Sequence, residues 1–152
     1  MAEVVGLAAS IASLVELAFK VVGYFNAVKG GEGEKGRLRD EISSASFLLL
    51  MLKDRTSPNS PNAPSLQTMT ALASRHGPLN QFKECLELVA DKIAGCNGEG
   101  LLRSAVTSMS WPFKKSEITQ LLASLERQKA LFNLALQDDH LLVHPDLDYR
   151  AC

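Results

Sequence analysis

The apolar residues Leu7, Ile11, Leu14, Ala18, Val21 and Phe25 are spaced alternately four and three apart, the period that lines one face of an α-helix. A second stripe of Val5, Ala8, Ala12, Val15, Phe19 and Val22 runs beside the first, leaving Gly6, Ser10, Ser13, Lys20 and Tyr24 as a mildly polar edge. The pattern predicts a helix over residues 4–25 that is greasy on nearly every face, and such a helix has to be surrounded. In a soluble bundle its expected place is central, since burying each large side chain gains about 1.5–3 kcal/mol before entropy is charged.

The same period returns three more times. Leu38, Ile42, Ala45, Leu49 and Leu52 predict a second helix, with Phe47, Leu48, Leu50 and Met51 widening its core-facing stripe. Leu79, Phe82, Leu86, Val89 and Ile93 predict a third, with Pro78 suited to its first turn and an end near Gly95. Ile118, Leu121, Leu122, Leu125, Phe132 and Ala135 predict a fourth, whose Glu126, Arg127 and Lys129 are free to stay solvated. Between them, KGGEGEKG from Lys29 to Gly36 reads as a mobile loop, TSPNSPNAP as an exposed linker, and GCNGEG as a break. Short accessory helices are expected over residues 66–73 and around Leu101, Leu102 and Val106. No stretch requires a strand, so the fold expected is an all-α bundle of about four principal helices over residues 1–140, followed by a polar tail or linker start over residues 141–152.

Composition narrows the function classes. At 152 residues, the chain is long enough for one core without staples. A net charge of −1 and 6% aromatic residues speak against nucleic acid as a partner. Cys85, Cys96 and Cys152 are an odd count without CxxC spacing, which suits a reducing cytoplasm better than a disulfide framework or a zinc site. Met1, Ala2 and Glu3 put an acid where a secretory leader needs bases, so the N-terminus is expected to be retained.

Candidate chemistry is sparse. GEGEKG continues into Arg37 and Leu38, where a phosphate loop needs a Lys-Ser or Lys-Thr pair. His140 and His144 are four apart near Asp138, Asp139 and Asp146, but Pro145 argues against the helix that would align them as metal ligands. Cys85 sits between Phe82 and Leu86 as packing material, distant in sequence from His76. No GxSxG elbow is present. The expectation is a non-enzyme with no catalytic, cofactor or metal site. Trp111, Phe113, Lys114 and Lys115, in WPFKK, pair rings with cations; they suit either a helix start with Pro112 in its first turn and the rings docked on the bundle, or a contact with lipid headgroups.

The first helix is also long enough to cross a bilayer. On an insertion scale its apolar side chains contribute about −3 to −7 kcal/mol, while Glu16 and Lys20 each oppose by roughly 2.5–3.5 kcal/mol, less when they pair across four residues. The balance is near zero, the condition for a helix that a bundle holds until clustering or a trigger releases it. Gly6 with Ser10, Ala8 with Ala12 and Ala9 with Ser13 are small pairs that permit close helix approach in lipid and in water alike.

The opening MAEVVGLAASIASLVELAFKVVGYF, then RLRDEISSASFLLLMLKD, PLNQFKECLELVADKI and above all WPFKKSEITQLLASLERQKALFNLALQDD resemble the HeLo-like N-terminal domain of fungal STAND and NLR-like proteins, from Met1 to about Asp139. The resemblance implies a helical bundle, similar in plan to that of the necroptosis executioner, that carries out regulated cell death in incompatibility or immunity. It implies partners: a C-terminal or separate NLR-like sensor or amyloid-forming signal, further copies of the domain, and membrane lipid. A cytoplasmic protein would then move to the plasma membrane and permeabilise it. Carried onto this chain, the membrane-insertion residues are Val4, Val5, Gly6, Leu7, Ile11, Leu14, Val15, Leu17, Phe19, Val21, Val22 and Phe25. Trp111, Phe113, Lys114 and Lys115 match the group's signature, as a lipid or a structural element. A passive adaptor that couples a receptor to partner domains is the alternative.

Overall fold

A computed structural model describes residues 2–56, 66–96 and 109–142. It is an all-α bundle in the order α1 (Ala2–Phe25), β1 (Val28–Lys29), α2 (Glu32–Arg55), α3 (Leu66–Ala73), α4 (Pro78–Cys96), β2 (Met109–Ser110) and α5 (Lys115–Leu142). The four long helices form a square in which α1 packs on α2, α2 on α5, α5 on α4 and α4 on α1. The short connection after Phe25 makes α1 and α2 antiparallel. Lys92 on Glu117 and Phe82 on Phe132 make α4 and α5 antiparallel too. Glu41 on Lys129 and Arg55 on the Leu136 carbonyl set α2 and α5 parallel. The chain therefore crosses a diagonal between α2 and α4, and α3 lies on that route against α1, α4 and α5.

Every residue of the four predicted stripes is buried, including Ile11, Ala18, Leu38, Leu49, Phe82, Leu86, Leu125 and Phe132. At the centre Phe82 and Phe132 meet edge to face with centroids 5.9 Å apart, an arrangement worth about 0.5–1.5 kcal/mol beyond area burial. Helix α4 starts at Pro78 as expected, the Gly77 carbonyl accepting from the Gln81 N–H, while Asn80 and Gln81 side chains tie back to the Ser74, Arg75 and His76 carbonyls. Helix α3 spans the expected residues. The expected helix near Leu101, most of the proline-rich linker and the tail from residue 143 lie outside the described residues.

Four expectations are corrected. First, α1 is not central. As one corner of the square it buries a single face, and Ala9, Ser10, Ser13, Glu16, Lys20 and Gly23 are exposed, with Phe19 60% exposed. The mildly polar edge is wider than the sequence suggested: Ala9 and Glu16 join Ser10, Ser13 and Lys20 on it, and small or charged residues there need no cover.

Second, the expected loop from Lys29 to Gly36 is mostly helix: α2 starts at Glu32 and runs through Gly33 and Gly36. Each glycine costs about 0.5–1 kcal/mol relative to alanine, and tertiary contacts at this end, described below, hold the turn in place. Third, a two-residue parallel bridge, Val28 beside Met109 and Lys29 beside Ser110, exists where no strand was expected. Fourth, the second and fourth helices are less simply divided. Phe47 is 63% exposed and Met51 is exposed beside it, so they do not widen the core stripe of α2. Lys129 is half-buried and pairs with Glu41 at 2.8 Å instead of standing in water.

Candidate functional site

Two regions carry the residues singled out by the sequence: α1, and the segment that enters α5. Of the insertion residues, Leu7, Ile11, Leu14, Val15, Val21 and Phe25 point into the core. Leu17 and Val22 are half-buried, and Gly6 and Phe19 face out. Val4 and Val5 lie in α1, with side chains outside the described residues. One helix among the described residues is long and apolar enough to cross a membrane, over Gly6–Phe25, and a third of its span is buried. Length and composition alone lend this little weight, since core helices of soluble proteins pass the same test. Among the described residues, no side-chain hydrogen bond or ion pair ties residues 6–22 to another element. Helix α1 is held by apolar packing, an attraction that does not discriminate between a protein neighbour and hydrocarbon.

At its C-terminal end the situation differs. The turn after α1 closes through Asn26 and Ala27 N–H bonds to the Gly23 and Tyr24 carbonyls. Val28 and Lys29 pair with the strand before Trp111, whose N–H donates to the Lys29 carbonyl at 2.9 Å. The indole then lies flat on Gly31, which caps α2 in the left-handed conformation at φ 62°. A methyl group at Gly31 would stand 2.5 Å from the ring, so only glycine admits this contact. The indole N–H donates to Glu34 at 3.0 Å, and the Lys35 ammonium donates to the Val28 carbonyl at 2.7 Å. These two contacts explain why GEGEKG is helix: its Glu and Lys are anchored to neighbouring segments.

The rings continue the chain of contact. Trp111 meets Phe25 at 5.9 Å and Phe113 at 4.9 Å, both tilted. Lys92 of α4 lies 5.9 Å over the Phe113 ring and 2.7 Å from Glu117 of α5. Residues from α1, α2 and α4 thus converge on WPF, just ahead of α5. Pro112 precedes α5 rather than sitting in its first turn. The cap is Lys114, whose carbonyl accepts from Ile118 and whose N–H donates to Glu117 three residues on, the reciprocal half of a capping box. Both rings are turned onto the bundle, Phe113 fully and Trp111 partly, while Lys114 and Lys115 are exposed.

The hydrogen bond from Lys92, followed by that from the Lys114 N–H, holds the Glu117 carboxyl below its ordinary value of 4.5. A lowered carboxyl favours the folded state above the ordinary value and loses that contribution as pH falls through the lowered one. Wild type should therefore be more stable than Glu117→Gln above pH 4.5, and the gap between their urea midpoints should narrow with further acidification. A constant gap would show that the charge does not matter.

A polar strip runs through the interface of α4 and α5. Gln128 is fully buried and donates to Ser124 at 2.8 Å and to the Cys85 sulfur at 3.6 Å, and its Oε1 has no hydrogen-bond partner among the described residues. Cys85 Sγ is 3.4 Å from the Ser124 hydroxyl. Sequence reading missed Gln128, although it occupies a stripe position between Leu125 and Phe132. Among the described residues no group of three or more His, Cys, Asp or Glu is arranged to hold a metal; His140 lies in α5 with its side chain undescribed, and His144 lies outside the described residues.

No family model, curated protein or solved structure matches the chain.

Proposed function

We propose that the chain is a non-enzymatic, membrane-targeting execution domain of the HeLo-like group, part of a fungal STAND or NLR-like immune or incompatibility system. On this reading it rests as a bundle in the cytoplasm and, once clustered by a sensor or amyloid signal, exposes α1 at the plasma membrane and permeabilises it. The observation that carries the reading is α1 itself: a helix of membrane-spanning length, packed on one face only and, among the described residues, attached along residues 6–22 by apolar contact alone. Its near-zero insertion balance makes a change of surroundings inexpensive once neighbouring copies replace the packing that α2 and α4 provide at rest. Dye release from anionic vesicles is the test, comparing the intact chain with a variant charged on the outer face of α1. Equal release from two equally stable proteins rules out insertion of α1.

A second reading is an adaptor that binds receptor or partner domains by helix-to-helix contact with α1 always buried. It draws support from Phe47 and Met51 on α2 and Leu131 and Leu134 on α5, all exposed. Under this reading Phe47→Lys and Leu134→Lys should leave the thermal midpoint within a few degrees, because exposed positions change stability by about 0.5 kcal/mol or less, yet abolish self-association in light scattering. Under the membrane reading, self-association without lipid should not depend on these positions.

A further inference from the structure

The two ends of α1 are held in different ways. At the C-terminal end, Val21, Phe25 and Val28 are almost fully buried, and the Trp111 clasp adds hydrogen bonds to Lys29 and Glu34, ring contact with Phe25, and the seat on Gly31. Along the N-terminal half, an open groove of about 440 Å³ runs between Ser10, Ser13, Leu14 and Leu17 of α1 and Leu79 and Lys83 of α4. Contact on that side is incomplete, and a lining that faces a gap forfeits the dispersion it would gain from a close neighbour. Small residues on α1, Ala9, Ser10 and Ser13, leave the gap open.

We propose that α1 is a strap hinged in its C-terminal half: residues 7–17 lift from the bundle as one block, while residues 21–31 stay clasped by Trp111. Opening starts at the groove, where the packing to be broken is thinnest, and stops where the clasp begins. The bend falls inside α1, between Leu17 and Val21, where Ala18 is buried but Phe19 and Lys20 are exposed, and the turn from Phe25 to Glu32 stays fixed under the clasp. The lifted segment carries the buried Leu7, Ile11, Leu14 and Val15 into the open and stays tethered beside α2 and α5. This deepens the membrane reading and rests on it only for the use made of the opened strap; the hinge itself needs no lipid.

Backbone amide exchange on the whole 152-residue chain, without lipid, tests the hinge. Amides of residues 7–17 should share one opening event, about tenfold or more frequent than that of residues 21–29 and of the α2 and α5 cores. Ser13→Leu, which fills the groove, should slow the 7–17 block. Trp111→Leu should raise exchange over residues 21–29 until the two halves of α1 match; if that variant does not fold, Glu34→Ala, which removes only the acceptor of the indole N–H, makes the same comparison. One common opening for all of α1 at the rate of the α2 core overturns the hinge, and so does a gradient confined to the first turn, which is end fraying. Failed dye release with block-wise opening leaves the hinge standing and removes the membrane reading; dye release with uniform exchange does the reverse.

Discussion

Gly31→Ala is expected to lower the stability of the bundle by about 2–4 kcal/mol and to move the emission of Trp111 to longer wavelength. Two costs combine. Alanine at φ 62° meets the left-handed penalty of about 1–2 kcal/mol. Its methyl group would also stand within 2.7 Å of three indole carbons, closer than such contacts tolerate, so the ring has to leave. With it go the bond to Glu34 and the contacts with Phe25 and Phe113. Trp111 is the only tryptophan in the chain, so its emission reports the clasp without interference. Gly36→Ala supplies the control of opposite sign: nothing lies within 4 Å of its added methyl group, and a helix interior gains about 0.5–1 kcal/mol from the exchange. Unchanged emission and an unchanged urea midpoint in Gly31→Ala would show that the seat of the indole contributes nothing.

Phe19→Asp is expected to leave the bundle as stable as wild type and to reduce vesicle dye release about a hundredfold. The side chain is 60% exposed, so its replacement changes folding by about 0.5 kcal/mol or less. In hydrocarbon the exchange replaces a favourable residue by a charge and costs roughly 3–4 kcal/mol at mid-span. A charge at Leu14 is a poorer probe, because that side chain is buried and the variant would report unfolding. Unchanged release by a stably folded Phe19→Asp protein would take α1 out of the mechanism.

The helical stripes were legible because each repeats over three or more turns and every member ends in one core, from Leu7 to Phe25 and from Leu38 to Leu52. Two things were not. Apolar residues on two sides made α1 look central, but Phe19 of the second stripe faces out with Glu16 and Lys20, and hydrophobicity alone does not say which of two apolar stripes is covered. Local glycine content argued against helix at Gly33 and Gly36, and what overrides it arrives from Trp111, 77 residues beyond Glu34. The WPFKK segment stood out as either a structural element or a lipid contact, yet its partners in the bundle could not be read from it. Gln128 had a readable signal, a polar residue on an apolar stripe, but its companion Cys85 lies 43 residues away on another helix.

The bridge between Val28 and Met109 has a consequence for synthesis. Helices α1 and α2 leave the ribosome before the segment that fastens their turn, which follows 81 positions later, and before α5, against which α2 packs. Until then the nascent hairpin holds its greasiest surfaces without cover, the state in which chains aggregate or are captured by chaperones.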